Sequence, residues 1–448
     1  AITSIDMWPS SRRVANAITE WPLFTFWLGD LHPHAVALPF LVSFAAVAGR
    51  FAERAGIVLD AVLLAALLSA NPWDLPAALV VLLVGNLAER SLGQSLIRAM
   101  LTIAIAAPFL VPFLLSPRPP FMGLEFWPGV TTSPEAFLHF GALLVVPALA
   151  LGVALIRSQE KEDSAFLVAT LFPAIGIAVA LFSDRPVFGL ASAFVLGVLW
   201  LLPKMDGALK AGFLFAAAGA TLAAVADVLI VKDPYGTTFK RMNTIFKTWA
   251  GAWPLLVIGA ALLLPLALST RRARNTIRWA IAAALVASAF HPLALAIGRA
   301  RSTSPRGMDG LGWLSREFPG DRKAIDWLRA HSEPTDVVAE ASGGAYDDHS
   351  RIGTASGRPT LLGWAGHEGV WRGETFGPEI AARQADLKTI YTSPDAQKVE
   401  EVLKRRGVRF VVVGPIEKKD FTQDAFPSHA AFREVFSANG TALYEGTR

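Results

Sequence analysis

The sequence predicts a polytopic α-helical membrane bundle of about ten spans, followed by a small α/β domain outside the cytoplasm. Apolar residues make up 53% of the 448 residues, above the roughly 45 to 50% of ordinary soluble domains. Long apolar runs recur up to about residue 300, and charged residues are dense only after it. Cysteine is absent, so the sequence offers neither a disulfide framework nor a thiolate metal site.

These observations divide the chain into three predicted parts. They are a leading extracytoplasmic segment at 1–32, a transmembrane helical domain at 33–299 and an extracytoplasmic α/β domain at 300–448. A helix needs about 20 residues to cross the hydrocarbon core. Prolines inside several spans favour a packed bundle, because neighbouring helices can satisfy the freed carbonyl groups. The predicted spans are 33–51, 55–71, 73–90, 96–115, 136–156, 165–183, 186–203, 209–231, 250–269 and 277–298.

The distribution of Lys and Arg among the loops predicts the orientation of the bundle in the cytoplasmic membrane. Every loop on one side carries at least two cations, and the positive-inside rule makes that side cytoplasmic. This orientation puts residue 1 and the domain after residue 300 outside. We therefore expect upstream sequence, or a partner chain that supplies it. The cytoplasmic cations are Arg50 and Arg54, Arg90 and Arg98, Arg157 and Lys161, Lys204 and Lys210, and Arg271, Arg272, Arg274 and Arg278.

The connector at 232–247 breaks this rule, because it places four cations on the external face. Such a breach suggests another use for the charges, such as binding an anionic ligand. The formal net charge of +4 is small for this length and gives no argument for nucleic acid as a partner.

Asp30, His32 and His34 form the first candidate site, just before the first predicted span. Alternate residues of an extended segment share one side, so a carboxylate and two imidazoles could converge on a divalent cation or a substrate phosphate. These residues are candidate catalytic groups and metal ligands. Alternatively, Asp30 orients a histidine, or Pro33 shapes a loop whose polar groups bond to the backbone.

Lys240, Arg241, Asn243 and Lys247 form the second candidate site, in the cationic connector. A helix there, lying at the membrane interface with apolar residues on its other side, would hold a lipid-linked phosphate. Ordinary anionic headgroups are the alternative ligands. On the same face, Asp74 either contacts the substrate or caps the following helix through its side chain.

Ionisable residues inside the bundle are further candidates. His139, Asp227 and His291 each lie in the outer part of a predicted span. Intramembrane ionisable groups mark functional sites by default. Each could equally be a helix-to-helix contact.

The tail after residue 300 reads as α/β, with predicted helices at 322–330 and 396–406 and predicted strands at 336–341 and 409–413. A Gly-rich loop between them carries two aromatic rings, an acid and an arginine, which suits sugar or acceptor binding. A loop packed against the membrane domain would look similar. The candidate binding residues there are Trp364, His367, Glu368 and Arg372, and Trp371 is the loop's other tryptophan.

Several motifs along the chain form one ordered signature. They are IDMWPSSRR at 5–13, EWPLFTF at 20–26 and DLHPH at 30–34, then NPWDLP at 71–76, RMNTIFK at 241–247, GWAGHE and WRG within 363–373, and VVVGPIE at 411–417. This signature resembles that of the uncharacterised YYY membrane-protein family, a domain of unknown function numbered 2298.

The resemblance implies a fold similar to the C-type (GT-C) integral-membrane glycosyltransferases, which transfer a sugar from a polyprenyl-phosphate donor on the outer membrane face. Family members also carry an acidic loop after an earlier helix, where such enzymes keep a catalytic carboxylate. The sequence here has no such segment.

The leading hypothesis is therefore a membrane glycosyltransferase, or its C-terminal portion, with a divalent cation as a candidate cofactor. Asp30 would be the base or a metal ligand, and Arg241 with Lys247 would clamp the departing phosphate. A non-catalytic subunit that scaffolds a larger membrane complex is the alternative. A transporter has less support, because the sequence shows no clear internal repeat.

Overall fold

A computed structural model of the chain describes residues 8–28, 32–51, 54–115, 123–130, 133–159, 163–182, 184–232, 238–269, 274–301, 309–421 and 432–446. The chain divides into two compact units, which we call unit 1 and unit 2, with a boundary between Ser302 and Thr303. Unit 1 is mostly helical, and unit 2 combines helices with a β-sheet. Asp30 lies outside the described residues.

Unit 1 is built from helices that follow the apolar runs of the sequence. A helix occurs within each of the ten predicted segments. The helices are α1 (Pro22–Leu28), α2 (Pro33–Val47), α3 (Arg54–Ala70), α4 (Leu75–Glu89), α5 (Leu92–Leu115), α6 (Ser133–Phe140), α7 (Ala142–Gln159), α8 (Asp163–Phe182), α9 (Pro186–Leu201), α10 (Gly207–Val225), α11 (Met242–Ala267) and α12 (Arg274–Arg301).

Within the described residues, five helical segments are long and apolar enough to cross a membrane by length and composition. Two shorter apolar helices, Pro33–Val47 and Leu143–Ser158, accompany them. The prediction of a helical membrane protein is thereby confirmed, whereas the count of about ten spans stays a prediction. The five segments are Pro72–Glu89, Leu92–Leu115, Pro186–Lys204, Gly207–Val225 and Met242–Ala267.

One predicted span is wrong at its end. The segment 209–231 was expected to be helical throughout, but α10 stops at Val225. Strand β2 (Leu229–Val231) follows and pairs antiparallel with β1 (Leu124–Phe126). The run Val228 to Val231 is rich in β-branched residues, which pack well in a pleated ribbon and lose side-chain freedom in a helix.

Close packing of α10 against α11 fixes the position of α11. A methyl group on Gly259 would lie 2.7 Å from the backbone nitrogen of Ala216, and one on Gly219 would lie 2.7 Å from Leu256 Cγ. Small residues at such contacts let helix backbones approach closely, which is how helices associate where water supplies no driving force. The second half of α11 is thereby held against α10.

Unit 2 contains a four-stranded sheet in the order β3-β4-β6-β5. Strands β3 (Val337–Ala339) and β4 (Val408–Val413) are parallel, and the pairs with β6 (Thr441–Gly446) and β5 (Phe432–Ala438) are antiparallel. The helices around it are α13 (Gly312–Glu317), α14 (Pro319–His331), α15 (Arg351–Ser356), α16 (Ala365–Arg372), α17 (Gly377–Thr392), α18 (Ala396–Arg406) and α19 (Pro415–Asp420).

The elements predicted for the tail are confirmed within a few residues. The predicted helices at 322–330 and 396–406 correspond to α14 and α18, and the two predicted strands correspond to β3 and β4. The predicted Gly-rich loop is wrong in part, because Ala365–Arg372 forms α16. Its positions 365–372 hold one Gly at 366 and one at 369, too few to prevent a short helix.

Candidate functional site

A chain of hydrogen bonds joins three polar side chains near the start of α2. His34 Nε2 lies 2.9 Å from Thr25 Oγ1 and 3.7 Å from Glu20 Oε2. The Thr25 hydroxyl also donates to Glu20 Oε2 at 3.1 Å. Because that hydroxyl proton is committed to Glu20, Nε2 of His34 is the donor to Thr25. The other ring nitrogen of His34, Nδ1, is buried and has no hydrogen-bond partner among the described residues.

The two histidines of the first candidate site do meet, but not on an extended strand. His32 is the residue before α2, and Pro33 begins the helix. Their ring centroids lie 5.0 Å apart, and the His34 ring also contacts the Phe246 ring at 4.7 Å, edge to face. Phe246 therefore brings α11 against the start of α2.

Lys247 follows Phe246 and is 93% buried, with 7% of its surface exposed. Its charge acts electrostatically on Glu20, His34 and Asp74. An ammonium group inside an apolar bundle is costly unless it is compensated, and such groups mark functional sites. We call Glu20, Thr25, His34, Asp74 and Lys247 the Lys247 cluster.

Asp74 reaches this cluster from a different part of unit 1. It ends the 3-10 turn Pro72–Asp74, which packs against α11, and it is 4% exposed. Asp74 makes no side-chain capping bond to α4, so the capping interpretation of this residue is wrong. Its burial is instead consistent with the site interpretation, which stays a prediction.

Glu20 and Thr25 are the members of the cluster that sequence reasoning missed. Burial raises the pKa of the Glu20 carboxyl above its ordinary value, although the hydrogen bond from Thr25 and the charge of Lys247 act in the opposite direction. Glu20 is the only charged residue of the signature motif EWPLFTF at 20–26. An isolated carboxylate among aromatic residues could have marked it as a candidate site residue. Lys247 on α11 is far from Glu20 in sequence, so only the fold reveals that interaction.

Two other cations of the connector, Lys240 and Arg241, have protein partners. Arg241 Nη1 lies 3.4 Å from Asp227 Oδ1, and the guanidinium lies over the Trp127 ring at 4.7 Å. Lys240 forms an ion pair with Glu125. These two pairs balance two of the four connector cations locally, without an anionic ligand. A phosphate-binding role for Lys240, Arg241 and the half-buried Asn243 stays a prediction.

The predicted interfacial helix in the connector is wrong. Helix α11 begins only at Met242 and continues to Ala267 as a candidate span. Ile245, Phe246 and Lys247 are all buried, so the helix has no exposed cationic side opposite an apolar one. The long apolar run after residue 247 explains why α11 is a bundle helix and not an interfacial one, because the helix continues through that run to Ala267.

The Arg241–Asp227 pair yields a stability prediction. Arg241→Met should lower the free energy of unfolding by about 3 to 5 kcal/mol, because it leaves a buried carboxylate without its partner. Adding Asp227→Leu should recover most of that loss. The change in thermal unfolding of the detergent-purified chain measures both variants.

The partly exposed Lys240–Glu125 pair provides the control for that experiment. Lys240→Met should change the free energy of unfolding by no more than about 1 kcal/mol. A double variant of Arg241 and Asp227 as unstable as Arg241→Met alone would contradict a structural role for the pair.

The three intramembrane candidates, His139, Asp227 and His291, differ in what the structure shows of them. Asp227 pairs with Arg241, which favours the helix-contact alternative for it. His139 packs its ring 4.9 Å from the Trp249 ring, and its Nε2 is buried without a hydrogen-bond partner in the described part of the chain. The side chain of His291 lies outside the described residues.

Unit 1 also contains an apolar cavity of about 370 Å³. It lies beside α6, α7, α9, α10 and α11, and its lining includes Phe140, Ala223 and Leu256. Every lining residue is apolar, so the cavity suits a hydrocarbon chain rather than a charged group. Lys247 is not among the lining residues.

The four candidate residues of unit 2 lie on or next to α16. Trp364 Nε1 donates to the His349 carbonyl at 3.0 Å, and His367 Nε2 accepts from Trp371 Nε1 at 3.1 Å. Glu368 Oε1 accepts from the Gly363 amide at 2.7 Å, so this acid helps to shape the chain before the helix. Arg372 forms an ion pair with Glu368 at 3.4 Å.

The described residues contain no group of three or more His, Asp or Glu side chains placed to hold a metal ion. The predicted metal site needs Asp30, which lies outside that part of the chain. A metal at Asp30, His32 and His34 therefore stays a prediction.

The fold and the buried polar cluster define a helical membrane protein that carries an α/β unit. The chain belongs to the family described as Uncharacterized membrane protein (DUF2298), whose model matches residues 1–256. The match confirms the family identified from the sequence signature, and it includes every residue of the Lys247 cluster. No curated protein matches the chain. Similarity to the C-type glycosyltransferases stays a prediction.

Proposed function

We propose that the chain is an integral-membrane glycosyltransferase, or the C-terminal portion of one, that uses a polyprenyl-phosphate sugar donor at the outer face of the cytoplasmic membrane. About ten spans and an extracytoplasmic unit 2 belong to this proposal. The observation that carries it is the buried Lys247 ammonium beside Glu20, His34 and Asp74 in a helical membrane unit.

Lys247 would bind the donor phosphate. A buried ammonium forms a strong charge-assisted hydrogen bond with a phosphate oxygen. During transfer, the bond between the anomeric carbon and the phosphate oxygen breaks, and that oxygen keeps the electron pair. A fixed positive charge beside the oxygen stabilises the developing negative charge, and this effect is stronger where water is excluded.

A carboxylate would accept the proton of the acceptor. The acceptor hydroxyl oxygen forms the new bond to the anomeric carbon, and its proton passes to Glu20 or to Asp30. The raised pKa of Glu20 suits a general base, because a base works best when its pKa is close to the operating pH. Nδ1 of His34 can accept a hydrogen bond from a sugar hydroxyl.

A divalent cation at Asp30, His32 and His34 is an alternative element of the proposal, in which His34 Nδ1 binds the ion instead of a sugar hydroxyl. The unpartnered Nδ1 of His34 fits a ligand role, since neutral imidazole nitrogens bind such ions. Bound there, the ion would neutralise phosphate charge.

A non-catalytic subunit of a larger membrane complex is the second candidate function. The Arg241–Asp227 and Lys240–Glu125 pairs favour it, because they give the connector cations a structural use. Its partner would be another membrane protein, or an upstream portion of the same protein.

Binding of the lipid phosphate tests the proposal without knowledge of the sugar. The full chain in nanodiscs is titrated with polyprenyl phosphate and with polyprenol, and binding is followed by native mass spectrometry. We expect polyprenyl phosphate to bind at least about tenfold more tightly, a difference of about 1.4 kcal/mol. Equal affinities would contradict a phosphate site.

Transfer is then tested by the release of polyprenyl phosphate from a panel of polyprenyl-phosphate hexoses. Release that requires an added acceptor supports the transferase. Tight phosphate binding without any release, together with co-purification of a stoichiometric membrane partner, would favour the scaffold.

A further inference from the structure

Four ring side chains gather at the surface of unit 2. The Tyr346 ring centroid lies 5.4 Å from that of Trp364 and 5.8 Å from that of His367. The rings of His367 and Trp371 lie 6.5 Å apart. Tyr346 is 70% exposed and Trp371 is 48% exposed. We call these four residues the ring cluster; Trp364, His367 and Trp371 lie in the predicted binding loop, and Tyr346 lies outside it.

The loop that carries Tyr346 is held in a strained conformation. Tyr346 has a φ of 65°, in the left-handed region that non-glycine residues rarely adopt. Asp347 holds the loop by accepting from the Gly344 amide at 2.7 Å and from the His349 amide at 3.0 Å. Backbone strain of this kind concentrates at functional sites.

His349 ties this loop to two other elements. Its Nδ1 lies 2.9 Å from Asp347 Oδ1, and its Nε2 lies 2.8 Å from Asp420 Oδ2 at the end of α19. Its carbonyl accepts from Trp364 Nε1, next to α16. Gly343 leaves room for the imidazole, since a methyl group there would lie 2.1 Å from Nδ1. The ring cluster is therefore preorganised.

The charge of His349 strengthens this arrangement. Burial lowers the pKa of His349, but its hydrogen bonds to Asp420 and Asp347 outweigh burial and raise that pKa above its ordinary value. In its protonated form, His349 pairs with both carboxylates beside the rings. The Asp347 and Asp420 side chains remain 39% and 31% exposed, so each can accept further hydrogen bonds.

We propose that the ring cluster, with Asp347 and Asp420, binds a neutral oligosaccharide. The apolar C–H faces of sugar rings stack on aromatic faces, and sugar hydroxyl groups donate to carboxylates at the margin. All these residues belong to unit 2, so saccharide binding there does not depend on transfer at the Lys247 cluster.

A membrane surface is the competing occupant, since exposed Tyr and Trp also settle at lipid interfaces. The exposed acids Asp347, Asp348 and Asp420 disfavour that occupant, because anionic headgroups would repel them. Neutral sugars carry no such penalty. The exposed carboxylates next to the rings therefore favour the saccharide.

Glycan binding tests the inference. The full chain in phosphatidylcholine nanodiscs is applied to an array of oligosaccharides built from mannose, glucose, galactose and N-acetylhexosamines. We expect binding that Tyr346→Ala and Trp371→Ala each weaken at least tenfold. The matched variant Tyr346→Phe keeps the ring and should retain most of the affinity. No binding across the array, or equal binding by the alanine variants, would overturn the inference.

Spin labelling distinguishes the membrane alternative. The chain has no cysteine, so Trp371→Cys offers a single labelling position in the full chain. We expect the label to be accessible to an aqueous nickel complex. Preferential access to lipid-soluble oxygen would place the ring cluster in the membrane and overturn the inference. If the chain binds oligosaccharide but does not bind polyprenyl phosphate, this inference is supported and only the proposed transferase is contradicted.

Discussion

Lys247→Ala is expected to weaken the binding of polyprenyl phosphate about 100-fold, or by about 2.7 kcal/mol. Lys247 is the buried cation of the cluster, and its ammonium would lose a charge-assisted hydrogen bond to the phosphate. The affinity for polyprenol should not change, because the alcohol has no negative charge that could pair with Lys247. Dissociation constants of both lipids, measured in nanodiscs, give the comparison.

Lys240→Ala is the matched control for this prediction. Lys240 lies in the same connector, but it is partly exposed and paired with Glu125. We expect a change in affinity of less than about threefold, as for a surface ion pair. Lys247→Met preserves the length of the side chain, so it separates lost charge from lost packing. Equal losses in the Lys240 and Lys247 variants would contradict a specific site.

Glu20→Gln is expected to lower the rate of sugar transfer by about 10² to 10⁴, the usual contribution of a general base. Affinity for polyprenyl phosphate should stay within about threefold, because the amide keeps the size of the side chain. A carboxylate base works when it is ionised, and burial raises the pKa of Glu20. Transfer by the unaltered chain should therefore increase as the pH rises through that pKa, and Glu20→Gln should lose this dependence.

Asp30→Asn separates the two candidate bases. If Glu20 is the base, Asp30→Asn should retain the pH dependence of transfer even where its rate is lower. If Asp30→Asn abolishes transfer while Glu20→Gln leaves the rate and its pH profile intact, Glu20 is not the base. Initial rates measured over a pH series on both variants decide between them.

Much of the fold follows from local features of the sequence. Apolar runs of sufficient length predict the helices of unit 1, because a helix satisfies its own backbone hydrogen bonds in lipid. In unit 2, the period of apolar residues predicts α18 closely, at Ala396–Arg406. The Asn439-Gly440 turn, with positive φ at both residues, is a local signal for the β5–β6 hairpin.

The candidate site depends on contacts that no local pattern contains. Lys240, Arg241 and Lys247 look equivalent in the sequence, yet two are paired with carboxylates from elsewhere in the chain, and Lys247 lies among site residues. The β1–β2 ribbon and the packing of α10 on α11 bring Glu125 to Lys240 and Asp227 to Arg241. Burial of a cation likewise depends on which helices surround it, and helix periodicity does not give that.

The same limit explains the ring cluster in unit 2. The sequence placed Trp364 and His367 in one predicted loop. Tyr346 joins them because a separate loop, held by His349 between Asp347 and Asp420, folds over α16. Its left-handed backbone is a tertiary feature, since Tyr has no intrinsic preference for that conformation.

A structure of the chain with polyprenyl phosphate bound in a nanodisc tests the central claim most directly. The account predicts a phosphate oxygen within hydrogen-bond distance of Lys247 Nζ, about 2.7 to 2.9 Å, with the carboxylate of Glu20 on the sugar side. A phosphate group held by Arg241 or by unit 2, with Lys247 still enclosed by protein side chains, would contradict it.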